Sequence, residues 1–144
     1  MWVRPFQARD LSEIFDIAAE TLNEIYDPQF LIDLHSYWPD GFLVFEERGE
    51  IMGFIAGMLM SRQHARILML SVREKRRRRG YASTLCREFM KVCGMMGVRM
   101  ITLEVRMTNE PAISFYHKLG FSTVMTIDGY YTDGEVAKKM QLIL

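Results

Sequence analysis

A chain of 144 residues, 49% apolar and 25% charged, has the length and composition of one folded domain with a real core. Eighteen basic residues balance 18 acidic ones, so no global field draws it to nucleic acid or to an anionic membrane. The longest uncharged apolar run, Ile51 to Met60, is too short to span a bilayer.

Trp2-Val3-Arg4-Pro5-Phe6 reads as a short first strand, and Arg4, Arg9 and Asp10 stand where a signal peptide would need apolar residues. Asp10 and Glu13 have the spacing of a capping box, opening a helix with Leu11, Ile14, Phe15, Ala18 and Leu22 on one face. Asp27-Pro28 predicts a second cap with proline at the first helical position, and a helix through Leu31 and Leu34. Phe42–Glu46 and Ile51–Met60 predict strands that turn at Arg48-Gly49, an antiparallel hairpin. Gly53 and Gly57 inside the second strand point to a bend or to a close approach of another backbone.

A strand over 66–72 follows, with Ile67-Leu68-Met69-Leu70-Ser71-Val72 as its buried run. In the next helix, over 81–96, Leu85, Cys86, Phe89, Met90, Cys93 and Met96 recur at helical spacing. Its two cysteines have no CxxC pairing and no nearby histidine, so they read as reduced core thiols of a cytoplasmic protein, with no metal site. The 12 methionines read as gap-fillers of the core. Met100–Arg106 alternates cleanly: Ile101, Leu103 and Val105 face one way, and Met100, Thr102, Glu104 and Arg106 the other. Asn109 caps a helix from Glu110 to about Leu119, which Gly120 ends, and strands over 121–127 and 136–144 complete the pattern. His35 and His117 read as surface helix residues. Nothing between 1 and 144 looks like a linker or repeat. The expectation is one domain of order β-α-α-β-β-β-α-β-α-β-β, a mixed sheet covered by helices, α/β or α+β.

The turn Arg77-Arg78-Arg79-Gly80-Tyr81-Ala82 joins a buried strand to an amphipathic helix. It leaves backbone N–H groups unpaired where the helix dipole is positive, which is a seat for a diphosphate. Gly80 lets a ligand come close, and Ala82 keeps the first helical turn uncrowded. A solvated basic turn would carry the same local signature. The five basic residues from Lys75 to Arg79 also suit nucleic-acid phosphates, but zero net charge and the lack of interleaved aromatics argue against that use.

The same turn is similar to the Arg/Gln-x-x-Gly-x-Gly/Ala acetyl-CoA signature of the GNAT acetyltransferases. Leu103-Glu104-Val105-Arg106, then Asn109, Ala112, Tyr116, Gly120 and Phe121, resemble that family's next motif, LEVR…N…A…Y…GF. The likeness runs over essentially the whole length. It implies a mixed, mostly antiparallel sheet of six to seven strands flanked by four helices. Within the family the chain resembles the protein N-terminal acetyltransferases, which include ribosomal-protein alanine acetyltransferases and archaeal and eukaryotic catalytic subunits. Gly129-Tyr130-Tyr131-Thr132-Asp133-Gly134-Glu135 is similar to their GYYADGED hairpin, and Thr21-Leu22-Asn23-Glu24-Ile25-Tyr26 to an NLPENY-like turn.

The resemblance implies acetyl-CoA as cofactor and direct attack on its thioester by the free α-amino group of a protein or peptide. Arg77, Arg78, Arg79, Gly80, Tyr81, Ala82 and Ser83 would seat the diphosphate, chiefly through main-chain amides. The main chain of Leu70, Ser71 and Val72 would splay from its neighbour and pair with the pantetheine arm, bringing an N–H near the thioester oxygen. Asn109 would add a cofactor contact, in addition to or instead of its cap. At pH 7 an α-ammonium costs only about 1.4 kcal/mol to deprotonate, against about 4.6 kcal/mol for Lys. A carboxylate acting through water suffices for the former. Glu104 is the expected base, with an ion pair to a neighbouring Arg as its other reading; Glu24 is the second candidate, or else a solvated helix-end carboxylate. Tyr116 is the expected general acid and a cofactor contact, or an aromatic at the core edge. Tyr26, Tyr130 and Tyr131 would wall the substrate N-terminus.

Some archaeal and eukaryotic relatives carry a His early in the strand before the acetyl-CoA turn. Here that position is Arg66, with His64 two residues earlier, so their two-base water relay is not implied. Acetylation of a Lys side chain or small amine is an alternative, as is an acetyl-CoA-binding module without turnover; Glu104, Asn109 and Tyr116 weigh against the module. The oligomeric state stays open.

Overall fold

The two apolar runs in the middle of the chain form the central hairpin of the sheet, and everything else is arranged around it. In the computed structural model, which describes residues 2–21, 27–76 and 79–144, the elements follow the expected order. They are β1 (Val3–Pro5), α1 (Leu11–Thr21), α2 (Pro28–Tyr37), β2 (Phe42–Glu47), β3 (Glu50–Ser61), β4 (His64–Val72), α3 (Tyr81–Met95), β5 (Met100–Arg106), α4 (Glu110–Lys118), β6 (Ser122–Ile127) and β7 (Ala137–Ile143). Glu24, Tyr26, Arg77 and Arg78, each named above as a site residue, lie outside the described residues, as do Leu22, Asn23 and Ile25.

The strands form one seven-stranded sheet in the order β1-β2-β3-β4-β5-β7-β6. Only β4 and β5 run parallel; every other neighbouring pair is antiparallel. Alternation along β2 explains the layers. Phe42 and Val44 join Ile14 and Ile17 of α1 and Leu31 and Leu34 of α2 on one face. Leu43 and Phe45 join Leu85, Cys86, Phe89 and Cys93 of α3, with Ile113 of α4, on the other. An unbroken apolar run is what a strand covered on both faces requires. Asp27 accepts from the Gln29 N–H at 2.9 Å with Pro28 behind it, as expected of that cap. No helix among the described residues is long and apolar enough to cross a membrane.

Three local expectations change. Asp10 is not the cap of α1: it ends a 3₁₀ turn, 4% exposed, and its carboxylate accepts from the Gln7 N–H at 2.8 Å. Arg4 donates to both of its oxygens at 2.8 and 2.9 Å, and a bidentate charged pair outcompetes a cap. Met96 falls just past the last turn of α3 and is 44% exposed, so the inward face of that helix is Tyr81, Leu85, Cys86, Phe89 and Cys93. His35 is half-buried, with its ring centroid 5.0 Å from that of Phe6, while His117 is exposed as expected.

The bend anticipated at Gly53 and Gly57 is a β-bulge. Ala56 pairs with Met69 and Gly57 with Ile67, which leaves Leu68 as the extra residue of β4. A Cβ on Gly53 would lie 2.5 Å from the Ser71 carbonyl oxygen, and one on Gly57 would lie 2.8 Å from that of Arg66. Bulges bend the strand that carries them and increase its twist. The consequence is on the opposite edge of β4. Its pairing with β5 stops after His64, Ala65 and Arg66 meet Met100, Ile101 and Thr102. Beyond Arg66 the two parallel strands part.

Candidate active site

The parting of β4 and β5 opens a cleft of about 520 Å³, lined from both faces of the sheet. Phe30 of α2 reaches it from one side, Ala112 and Tyr116 of α4 from the other, and Tyr130 and Tyr131 close one end. Leu70, Glu104, Asn109, Tyr116, Tyr130 and Tyr131, expected at the site on sequence grounds, all line this one cleft. Ser71, Val72 and the residues from Arg79 to Ser83 are not among its lining.

Those remaining residues lie at the end of β4 and the start of α3. Gly80 adopts φ +80°, ψ 6°, a left-handed conformation that disfavours a side chain, and an added Cβ there would meet nothing within 4 Å. The first intrahelical bond of α3 runs from the Thr84 N–H to the Gly80 carbonyl at 3.0 Å. The Tyr81, Ala82 and Ser83 N–H groups therefore precede the hydrogen-bonded ladder and are available to an anion. The Tyr81 side chain serves the core instead: its ring packs on Phe45 and its hydroxyl donates to Glu47 at 2.9 Å. Only its main chain is left for a ligand. Ser71 and Val72 bury their side chains and pair with Phe54 and Gly53 of β3, so at these positions too the free edge of the strand is backbone.

Glu104 sits at the fork, on the polar face of β5, and its side chain is 9% exposed. The ion pair foreseen as its other reading is present: Arg66 Nη2 lies 2.6 Å from Glu104 Oε1. The same Nη2 donates to the Tyr130 hydroxyl at 2.6 Å, and that hydroxyl donates to Oε1 at 3.4 Å. At the apex of the fork, His64 Nε2 lies 2.7 Å from Thr102 Oγ1. Burial, then the charges of Lys139 and Arg66, hold His64 below the ordinary imidazole value against the opposing pull of Glu104.

Asn109 caps α4, its Oδ1 accepting from the Ala112 N–H at 3.2 Å, and the cap leaves the amide donors of Asn109 to the cleft it lines. Burial, with Cys86 nearby, raises the Tyr116 phenol well above its ordinary value, so it holds its proton at neutral pH. Its ring packs edge-on against Phe115 and Phe121.

Arg106, on the polar face of β5 and the last residue of its LEVR motif, organises the connection between β6 and β7. Its Nη1 lies 2.9 Å from Asp133 and 2.7 Å from Glu135, and its guanidinium carbon lies 4.1 Å above the Tyr131 ring. Thr108 donates to the other oxygen of Glu135. Arg66 thus holds Tyr130, and Arg106 holds Tyr131, one arginine from each of the parted strands. The available signal was charge complementarity between the polar face of β5 and the acidic 133–135 segment.

The chain is similar to known proteins over most of its length. The profile of the acetyltransferase (GNAT) family matches residues 11–121. The crystal structure of Ard1 from Thermoplasma volcanium has a TM-score of 0.96 to this chain at 37% identity, over 99% of this chain and 96% of that one. Naa20 of Chaetomium thermophilum, crystallised in complex with a bisubstrate analogue, has a TM-score of 0.91 at 27% identity, over 100% and 87% of the two chains. An N-alpha-acetyltransferase of Saccharolobus solfataricus is 32% identical over 145 residues, 91% of this chain and 86% of that protein.

Proposed function

The chain belongs to the acetyltransferase (GNAT) family and takes its acetyl group from acetyl-CoA; from that premise we propose that its acceptor is the free α-amino group of a protein or peptide N-terminus. The observation that carries this reading is the meeting of Glu104 with the Tyr130–Tyr131 segment on one cleft that also holds Tyr116. Similarity to N-alpha-acetyltransferases over most of both chains supports it.

In this reading the α3 N-terminus and the free edge of Leu70–Val72 hold the diphosphate and pantetheine of acetyl-CoA, with the Asn109 amide alongside. Glu104 removes a proton from the α-ammonium, directly or through water. The freed amine attacks the thioester carbon, and a main-chain N–H of β4 stabilises the oxyanion. Tyr116 would give its hydroxyl proton to the departing thiolate as the C–S bond breaks, and the second proton lost from the nitrogen as the amide forms would return, through water, to the Tyr116 phenolate. A carboxylate needs to offset only the small cost of neutralising an α-ammonium at pH 7, about 1.4 kcal/mol. We place the activity in the cytoplasm, on the support of two free, buried thiols.

The test is CoA release from acetyl-CoA with two peptide sets. One has free N-termini beginning Ser, Ala, Met or Glu and no Lys; the other has blocked N-termini and one internal Lys. Turnover confined to the first set is expected. Turnover confined to the second would replace this reading with a Lys acetyltransferase.

A further inference from the structure

Among the described residues, every hydrogen bond and ion pair of Glu104 falls on one oxygen. Arg66 Nη2 approaches Oε1 at 2.6 Å and the Tyr130 hydroxyl approaches the same atom at 3.4 Å. Among the described residues, nothing hydrogen-bonds to Oε2. Arg66 itself is well held: it is the last residue of β4 paired to β5, opposite Thr102, and its side chain is 29% exposed. Its Nη2 bridges the carboxylate and the Tyr130 hydroxyl, both at 2.6 Å, while Nε is buried without a partner among the described residues. A buried donor without a partner costs stability, and such a cost is expected where the arrangement serves a site.

We propose that Arg66 is a positioning residue for acetyl transfer. It fixes Glu104 through Oε1 so that Oε2 faces the incoming amine, and it ties Tyr130 to the same point so that base and substrate wall keep one relative position. The inference rests on the assignment of Glu104 as base. It differs from a purely structural ion pair in a specific way. An arginine placed at the start of the fork to steady β4 against β5 would act on folding and on cofactor affinity. One that orients a carboxylate acts on the chemical step, where small misplacements of a reacting group cost up to about 100-fold.

The experiment is a double-mutant cycle with Arg66→Gln and Glu104→Gln, read as kcat and as KM for acetyl-CoA with a free-N-terminus peptide. Melting curves monitor the fold. Arg66→Met, which retains the apolar stem along the strand, replaces Arg66→Gln if that variant fails to fold. Arg66→Gln should lower kcat roughly 10- to 100-fold, with KM for acetyl-CoA unchanged to within about twofold. Arg66→Lys, shorter and without the planar fork, should recover only part of the loss. In the Glu104→Gln background the Arg66 change should cost no more than about twofold further, because its effect passes through Glu104. Wild-type kcat in Arg66→Gln beside a slow Glu104→Gln would overturn the inference alone, as would losses that multiply in the double variant. Wild-type turnover in Glu104→Gln would remove the base assignment and this inference with it.

Discussion

Gly57→Ala tests whether the bulge in β4 shapes the cleft. The added Cβ would lie 2.7 Å from Phe89 Cζ and 2.8 Å from the Arg66 carbonyl oxygen, both well inside van der Waals contact. Neither neighbour yields easily: Phe89 is fully buried in the α3 layer, and the carbonyl belongs to the last residue of β4 paired with β5. Overpacking of this kind costs about 1–3 kcal/mol. For a chain of this length that corresponds to a fall of about 3–10 °C in Tm. Because relief requires the Arg66 backbone to retreat, kcat at 25 °C should fall by more than the unfolded fraction explains. Gly94→Ala is the matched control, since a Cβ there meets nothing within 4 Å and lies in the helix α3. It should raise stability by about 0.4–1 kcal/mol and leave turnover alone. Melting curves and CoA release on the three proteins decide the matter. A Gly57→Ala protein as stable and as active as wild type would refute the argument that the close approach at the bulge sets the fork.

Glu104→Gln should lower kcat by roughly 10²–10⁴ while acetyl-CoA binding, measured by calorimetry, is retained; loss of binding instead would make Glu104 a structural residue. Asp10→Asn should destabilise by about 2–4 kcal/mol at neutral pH by leaving Arg4 half-paired. Burial alone would raise the Asp10 carboxyl, but hydrogen bonds from Arg4 and the Gln7 N–H outweigh it and hold it below the ordinary range. Its contribution is therefore full above the unfolded value of about 3.9 and is lost as pH falls through the folded one, so the gap between wild type and Asp10→Asn should close in acid denaturation below pH 4; a gap constant down to pH 2 would contradict this. Burial pushes the Cys86 and Cys93 thiols up to about 12, so neither should react with a thiol reagent at pH 8 until the protein unfolds, and native labelling would show that the α3 layer opens.

Sequence signals that act within a few residues proved legible. Asp27-Pro28 and Asn109 cap the helices they precede, and Gly80 takes the left-handed conformation that opens α3. Asp10 shows the limit of such signals. Its capping pattern is genuine, but Arg4, brought alongside by the first strand, is a stronger partner. The bulge at Leu68 is hidden because an apolar run covered on both faces has no alternation to break; the glycines of the facing strand, Gly53 and Gly57, are the hint, and Gly57 is the one that pairs beside it. The Glu104 ion pair was one of two open readings, since the register that brings β4 to β5 is set by packing across distant segments. The grip of Arg106 on Asp133 and Glu135 spans 27 and 29 residues, and no local rule reaches that far.

The most direct measurement of the central claim uses one peptide with both a free α-amino group and an internal Lys. It is incubated with acetyl-CoA and the protein, and the site of acetylation is read by tandem mass spectrometry. The account predicts a single acetyl group on the N-terminal nitrogen, absent when Glu104→Gln replaces the wild-type protein. An acetyl group on the Lys side chain, with the N-terminus left free, would contradict it.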